Sequence, residues 1–493
     1  MTSTAGTSAA SGGSIQSLVP ARIDRLPWAP FHTRMVVALG TAWVLDGLEI
    51  TIAGAVAGVL TEDATLGLSA TQVGAIATVY LLGEVFGALV FGRLSDALGR
   101  KNLFIVTLGV YLFGNALTAF TWGNSTAALT FLYLTRFIAG AGIGGEYAAI
   151  NSAIDEMIPA KYRGRVDIAV NGTYWAGAIL GTLGTFILLN QISLDIGWRI
   201  GFLVGPIVGI AIWRLRRHLP ESPRWLVMHG REEDAESSIA FIEREVEQSG
   251  RTLPPVDESK AIEVKSTERH GYISLVRVLF SRYPSRSVLG ASLMITQSFL
   301  YNAIFFTYTL VLTKFYRVDA ADAPLYLIAF AVGNLAGPLI LGHLFDTVGR
   351  KKMIAGTYIL SGVLLAGTAV LFNAGALTAT TQTICWCVIF FFASAGASAA
   401  YLTVSEIFPL EVRAQAIAVF FAIAQCFGAI APIFYASLIG EGEDPSKLFI
   451  GYLIGAGVMI VGGVVEIVLG VAAEQQSLED VATPLSAEAA ATT

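Results

Sequence analysis

Long apolar runs of about 20 residues recur along the chain, and short polar connections separate them. A helix rises about 1.5 Å per residue, so one such run spans the roughly 30 Å hydrocarbon core of a bilayer. The runs are continuous and lack the period-two alternation of membrane barrel strands. The pattern predicts an all-α membrane protein with twelve spanning helices at 35–60, 71–93, 102–121, 127–152, 167–190, 198–214, 287–313, 324–344, 353–372, 380–404, 412–438 and 448–471.

An internal repeat divides these helices into two sets of six. Two separated groups of residues recur at a constant offset of 250. This repeat predicts two pseudo-symmetric six-helix bundles, at 31–214 and 287–473, with a substrate site between them near the membrane midplane. The repeated pairs are Gly92 and Gly342, Asp96 and Asp346, Gly99 and Gly349, Arg100 and Arg350, Glu156 and Glu406, and Arg163 and Arg413.

Three polar segments lie outside the predicted bundles. Residues 1–30 and 474–493 are expected to be disordered tails, and 215–286 a central loop with an amphipathic surface helix near 231–248. Lys and Arg cluster on the side of the central loop, which the positive-inside rule assigns to the cytoplasm. We therefore expect a multi-pass protein of the cell membrane with both termini cytoplasmic. The first 20 residues lack the basic and apolar regions of a signal peptide.

Composition supports a membrane protein and excludes several other classes. Only 14% of residues are charged, against about 25% in an average soluble domain. The net charge of −6 provides no basic footprint for nucleic acid. All three cysteines lie in apolar runs, and no nucleophile elbow, phosphate loop or metal-ligand spacing occurs. No enzyme activity, cofactor or metal is expected, and the chain is expected to be monomeric.

Four motifs resemble those of the major facilitator superfamily. Gly92–Lys101 resembles its loop between helices 2 and 3, and Arg136–Glu146 resembles its helix 4 signature. Pro220–Leu226 is similar to the motif after helix 6 of sugar porters. Asp46–Glu49 resembles the Asp-Gly-x-Asp of aromatic-acid–proton symporters, with Glu in place of the last Asp. The fifth span, 167–190, lacks the proline motif of proton-driven drug exporters, which counts against export by antiport.

Asp46, Glu49, Glu84 and Arg136 are the clear cases of ionisable residues inside the predicted spans of the first half, where charge is costly and usually functional. Asp46 and Glu49 share one helix face, and Arg136 on the fourth span lies at nearly the same depth. An acid beside the arginine holds its charge, whereas separation favours the neutral form. This predicts a proton switch, with Asp46 as the first carrier and Glu49 or Glu84 as alternatives. The alternative interpretation is a static buried ion pair that only fixes helix packing.

The second half has no charge at the positions that correspond to these four residues, and we expect it to contact substrate instead. Amide and phenol groups bond polar ligand groups, and aromatic faces stack on rings or sugar faces. Interhelical packing is the alternative for any single one of them. The candidate substrate-lining residues are Gln297, Tyr301, Asn302, Tyr308 and Trp386.

The repeated loop residues have a role implied by the resemblance. In that family, inter-helix salt bridges on the cytoplasmic side close the inner gate. The alternative is that these charges only set the membrane topology. The predicted gate consists of Gly92, Asp96, Gly99, Arg100, Glu156, Arg163, Asp346, Arg350, Glu406 and Arg413.

These observations together predict a secondary active transporter. The expected activity is proton-coupled symport of a small polar metabolite, an organic or aromatic acid, by alternating access. Its partners are then the small-molecule substrate, protons and the lipid bilayer. A sugar or polyol porter or facilitator is the first alternative, because 220–226 and the seventh span are similar to sugar porters. A non-transporting membrane receptor on a transporter scaffold is the second.

Overall fold

The computed structural model describes residues 15–216, 220–258, 262–264, 272–408 and 410–471. These residues form two short strands, β1 and β2, and sixteen α-helices. In chain order they are β1 (Ile15–Ser17), α1 (Val19–Asp24), α2 (Pro30–Ala55), α3 (Ala70–Leu98), α4 (Arg100–Thr118), α5 (Thr126–Met157), α6 (Ala160–Gln191), α7 (Leu194–Arg216), α8 (Pro223–Met228), α9 (Glu232–Gln248), β2 (Ile262–Val264), α10 (Tyr272–Arg282), α11 (Pro284–Tyr316), α12 (Ala323–Thr347), α13 (Arg350–Asn373), α14 (Ala379–Glu406), α15 (Leu410–Ile439) and α16 (Pro445–Leu469).

Twelve long helices, α2–α7 and α11–α16, coincide with the twelve predicted spans. Eleven helices in the described part of the chain are long and apolar enough to cross a membrane. The remaining long helix is α4, which has 19 residues and begins with Arg100 and Lys101. Its first residues, Arg100 and Lys101, lower the mean hydropathy of the helix, and α5 and α7 pack on it. The all-α membrane fold predicted from the sequence is confirmed.

The repeat is visible in where the helices begin. Helices α4 and α13 start at Arg100 and Arg350, and each follows a glycine in the left-handed region. The φ angle is 85° at Gly99 and 113° at Gly349. Glycine adopts such angles without the steric cost that a Cβ imposes. The residues repeated at the constant offset of 250 therefore form the same sharp turn in both halves.

Glycines also set how closely the helices of the first half approach. A Cβ at Gly140 of α5 would lie 2.0 Å from the carbonyl oxygen of Tyr80, and one at Gly144 would lie 2.0 Å from that of Glu84. Membrane helices lack a hydrophobic force that drives them together, so close backbone contact through small residues stabilises their packing. This contact places Glu84 of α3 directly against α5.

The two halves are closed together on the membrane face opposite the central segment, which we call the outer face. Thr309 Oγ1 of α11 donates to the Gly54 carbonyl of α2 at 2.8 Å. Thr78 Oγ1 of α3 donates to the Ala429 carbonyl of α15 at 2.6 Å. These bonds join the outer portions of four helices, so the structure is an outward-closed conformation.

Residues 15–30 contain regular elements, which corrects this part of the disordered tail predicted over 1–30, and residues 1–14 lie outside the described residues. Strand β1 pairs antiparallel with β2. Helix α1 buries Val19 and Ile23 against Trp225 and Ile239 of the central segment. Composition alone suggested a polar tail because it does not show which distant surface these few apolar residues meet. The predicted tail at 474–493 lies outside the described residues.

Ion pairs hold this segment on α9, the helix found where an amphipathic surface helix was predicted. Arg22 and Arg25 each place a guanidinium nitrogen 2.6 Å from the Glu243 carboxylate. Burial disfavours the charged carboxylate, but hydrogen bonds from the two arginines outweigh that effect and hold the Glu243 pKa below its usual value. The same contacts raise the pKa of Arg22. Near neutral pH the segment is therefore held by fully ionised partners.

Candidate functional site

Arg136 of α5 forms the centre of a buried polar cluster in the first half. Its Nη1 donates to Asn115 Oδ1 of α4 at 2.6 Å. Its guanidinium carbon lies 4.4 Å from the ring centroid of Tyr80 and 5.1 Å from that of Phe202. The negative faces of aromatic rings stabilise a cation in a water-poor environment. These three contacts of the guanidinium, with one amide and two aromatic rings, are all with neutral side chains.

Three acids from α2 and α3 complete this cluster. Glu49 and Glu84 are buried and attract Arg136 electrostatically. Asp46 is also buried, within electrostatic reach of Tyr80. The structure thus brings together the four residues predicted for proton coupling. The pairing of Asp46 with Arg136 stays a prediction.

The position of the Glu49 carboxylate depends on a glycine of the neighbouring helix. A Cβ added to Gly205 of α7 would lie 1.4 Å from Glu49 Oε1. The Glu49 carboxylate thus occupies the space that any other residue at position 205 would need. Three buried acids thus lie beside one arginine, so the cluster contains more acidic than basic side chains.

Glu84 links the two halves of the molecule. Gln425 Nε2 of α15 donates to Glu84 Oε2 at 2.7 Å. Gln425 Oε1 in turn accepts from Ser298 Oγ of α11 at 2.5 Å and from Asn302 Nδ2 at 3.5 Å. One amide therefore connects the acid cluster to the polar face of α11. Sequence reasoning missed Gln425, although a glutamine inside the apolar run of α15 was a visible signal.

Aromatic residues line the junction of the halves beside this amide. The ring centroid of Trp175 of α6 lies 6.4 Å from that of Tyr301 of α11. Tyr301 stacks on Phe305 at 5.5 Å and meets Phe390 of α14 edge-on at 5.8 Å. This wall combines flat apolar surfaces with phenol and indole groups, which suits a ring-containing ligand.

The predicted substrate-lining residues divide into two groups. Asn302 and Tyr301 lie at the junction, and Gln297 nearby donates to the Tyr401 hydroxyl at 3.3 Å. Tyr308 and Trp386 are instead fully buried inside the second half, with ring centroids 4.5 Å apart. The structure does not bring these last two to the junction in this conformation.

The predicted gate is only partly described. Gly99 makes the turn before α4, while Glu156 and Arg350 lie at helix ends on the same face as the central segment. The inter-half salt bridges therefore stay a prediction. The other gate positions lie outside the described residues as far as side chains are concerned: Gly92, Asp96, Arg100, Arg163, Asp346, Glu406 and Arg413.

Glu221 is a further acid on that face. Its Oε2 accepts from the Lys101 backbone N–H at 3.2 Å, at the first turn of α4. The helix dipole stabilises an anion at this end. A Cβ at Gly99 would lie 2.3 Å from Glu221 Oε2, so the glycine also makes room for the acid. The central-segment motif is thus tied directly to the predicted gate loop.

Sequence reasoning also overlooked two charged residues within spans. Glu466 of α16 is buried and is attracted by Lys351, so the second half also holds a buried acid, at a position that does not correspond to the four residues predicted for proton coupling. Arg199 of α7 donates to the Ala119 carbonyl at 3.0 Å and to the Thr121 carbonyl, where it stabilises the C-terminal end of α4. No cluster able to hold a metal ion occurs among the described residues.

A family model described as "Sugar (and other) transporter" matches residues 48–484 of the chain. The chain belongs to this family. The predicted resemblance to the major facilitator superfamily is thereby confirmed, and the protein is a membrane transporter rather than an enzyme.

Relatives and solved structures agree with this assignment. The transporter is 25% identical to the niacin transporter NiaP of Acinetobacter baylyi, over 93% of this chain and 98% of the relative. It is 23% identical to the benzoate transport protein of the same organism, over 70% of this chain and 71% of the relative. The crystal structure of a D-xylose–proton symporter shares the fold, with a TM-score of 0.72 at 17% identity, over 91% of this chain and 100% of that one.

Proposed function

We propose that this transporter is a proton-coupled symporter that imports a small organic acid carrying an aromatic ring. The observation that carries the proposal is the hydrogen bond from Gln425 to Glu84, which joins the two halves beside Arg136. A charged carboxylate accepts such a bond about twice as strongly as a neutral group. Protonation of Glu84 therefore weakens one contact between the halves and shifts the equilibrium between conformations.

The same cluster supports a carboxylate substrate. Arg136 is a buried cation, and a substrate carboxylate can approach it once protonation of a neighbouring acid has lowered the local negative charge. Charge is then balanced when a proton and a carboxylate enter together. The rings of Trp175 and Tyr301 supply a flat surface next to it. The relatives named for niacin and benzoate fit this chemistry.

The cycle follows from the outward-closed conformation. When the outer face opens, a proton reaches the acid cluster and the substrate enters between the halves. When that face closes, contacts such as the one between Thr78 and Ala429 form again. The proton and the substrate then become accessible from the side of the central segment. Release there lets Glu84 ionise and regain its charge-assisted bond with Gln425.

Uptake into proteoliposomes tests the coupling. Glu84→Gln keeps an oxygen that accepts from Gln425 but removes the titrating group. We expect it to lose accumulation driven by a pH gradient while exchange of labelled substrate persists. Glu466→Gln is the matched control, because it makes the same change at a buried acid outside the cluster, and accumulation should continue. Glu49→Gln and Asp46→Asn are run beside it.

Two results count against the proposal. If all three amide variants of the cluster still concentrate substrate in response to a pH gradient, the proton does not pass through this cluster. If nicotinate and benzoate fail to compete for uptake while xylose competes, the substrate is a sugar. Uptake by the wild-type protein itself excludes a receptor without transport activity.

The sugar or polyol porter remains a second candidate, and one observation favours it. Gln297, Asn302 and Gln425 place three amide side chains near the junction of the halves. Amides bond hydroxyl groups through both donor and acceptor atoms. The competition experiment with xylose and an aromatic acid separates the two candidates.

A further inference from the structure

A groove of about 540 Å³ lies where α2 begins, outside the central cluster. Its walls come from the first two turns of α2, the residues just before that helix, and the segment that follows α9. It lies on the face of the central segment, and the apolar span of α2 begins at Pro30. The groove is therefore at the boundary between the membrane and water. Its lining includes Trp28, Pro30, Thr33, Arg34, Val37 and Arg251.

Two arginines make the polar part of this groove cationic. Arg34 is exposed and forms an ion pair with Glu245 of α9. Arg251 is exposed and makes no hydrogen bond or ion pair with any residue that the structure describes. Glu245 pairs with Arg34, so the charge of Arg251 is left without an ion-pair partner among the described residues. A guanidinium binds phosphate oxygens through parallel hydrogen bonds.

The apolar part of the groove continues along one face of α2. Pro30, Arg34 and Val37 are spaced three to four residues apart, so they share that face. Val37 is 51% exposed although it is inside the apolar span. The seven helical steps from Pro30 to Val37 cover about 10 Å. Within that distance the surface changes from cationic to apolar.

An aromatic residue held in place marks the transition. Trp28 Nε1 donates to Thr33 Oγ1 at 3.1 Å. Its ring stacks on His32 with centroids 5.3 Å apart and meets Tyr162 edge-on at 5.2 Å. Tryptophan is enriched at the level of lipid headgroups, where one part of the ring is apolar and its N–H is polar. The groove thus has a headgroup end, an interfacial ring and an acyl-chain end.

We propose that this groove binds an anionic phospholipid of the adjacent leaflet. The headgroup phosphate lies between Arg34 and Arg251, and an acyl chain lies along Val37. A basic residue near a membrane surface attracts anionic lipids by electrostatics, and the fixed pair of arginines adds direct phosphate bonding. The lipid fastens the segment after α9 to the start of α2, next to the Arg34–Glu245 contact.

Native mass spectrometry of the purified full chain tests this site. Phosphatidylglycerol and phosphatidylcholine with identical chains are added in turn, and inorganic phosphate is added alone. We expect phosphatidylglycerol to be retained preferentially. Arg251→Gln should reduce its retention by about fivefold or more, since one charge-assisted phosphate contact is lost. Val37→Asn should reduce retention of the lipid without changing the charge. Arg231→Gln, with the same charge loss at the start of α9, should leave retention unchanged.

Three outcomes overturn the proposal. The first is equal retention of the two lipids by the wild-type protein. The second is unchanged retention of phosphatidylglycerol by Arg251→Gln. The third is retention of inorganic phosphate equal to that of phosphatidylglycerol, which would make the groove a site for small anions. Both groove substitutions are at exposed side chains, so a loss of folding is not expected, and a thermal unfolding curve of each variant checks this.

Discussion

The bond between Gln425 and Glu84 leads to the sharpest prediction. Gln425→Leu removes the donor that holds the Glu84 carboxylate at 2.7 Å. The closing contact between Thr78 and Ala429 lies only six residues from Glu84 along α3, about 9 Å. Opening the outer face parts α3 from α15, so the bond stabilises the outward-closed conformation. Its removal should increase the outward-open population.

The size of the effect follows from the type of bond. A hydrogen bond to a charged group contributes about 1.5–3 kcal/mol in soluble proteins. Interhelical bonds in membranes average about 0.6 kcal/mol, with a maximum near 1.7 kcal/mol. A charged acceptor in a membrane interior places this bond near the upper membrane value, at about 1.5 kcal/mol. That energy corresponds to a shift of roughly tenfold in the conformational equilibrium.

Cysteine accessibility at the outer face measures this shift. Thr313 is buried there against Gly58, whose Cβ would lie 2.8 Å from Thr313 Cγ2. The Thr313→Cys variant is made in a protein whose Cys385, Cys387 and Cys426 are replaced by Ser. Its single cysteine reacts with an impermeant maleimide only when the outer face opens. The labelling rate should rise about tenfold when Gln425→Leu is added.

Gln297→Leu is the matched control, since it removes an amide that bonds Tyr401 inside one half. Its labelling rate should stay at the parent value. A maleimide-labelling rate with Gln425→Leu within twofold of the rate for Thr313→Cys alone would refute the reasoning. The bond would then contribute equally to both conformations.

Three further predictions follow from other contacts. Gly205→Ala should displace the Glu49 carboxylate, so proteoliposome uptake should fall at least tenfold while the protein still folds, because the flexible side chain can move aside. Glu243 has a lowered pKa when folded, so its contribution is present above the unfolded value of about 4.3 and is lost as pH falls through the folded value. The protection factor of residues 15–24, which corrects the hydrogen-exchange rate for its intrinsic pH dependence, should therefore be constant from pH 8 to 5 and fall below about pH 4, and Glu243→Gln should lower it at pH 7. Gly349→Ala should lower stability by about 1–2 kcal/mol in thermal unfolding, because φ is 113° there.

The two glycine substitutions each have a matched control in the chain. Gly201→Ala should be tolerated, since its Cβ would meet only Ile52 Cγ2 at 3.3 Å. Gly356→Ala adds a Cβ into open space inside α13, so it should leave stability unchanged or raise it. Normal uptake by Gly205→Ala would contradict the first prediction. Exchange protection at 15–24 that does not respond to Glu243→Gln would contradict the second. Equal stability of Gly349→Ala and Gly356→Ala would contradict the third.

The sequence by itself determined the number, length and order of the membrane helices. Apolar runs of spanning length have few alternatives in a bilayer, because every backbone polar group must be bonded within its own helix. The offset of 250 likewise revealed the two halves and the paired turns at Gly99 and Gly349. The acids and the arginine of the first half were visible for the same reason, since charge inside an apolar run is rare.

Only the tertiary structure decided which residues meet. Gln425 and Glu84 are 341 positions apart, and no local pattern indicates that pairing. Tyr308 and Trp386 had the chemistry of substrate contacts, yet they lie inside the second half. In a soluble protein the apolar face of a helix points inward, so the periodicity of apolar residues identifies the core. In a bilayer the lipid-facing and protein-facing sides of a helix are both apolar, so periodicity does not show which side chains face the partner half.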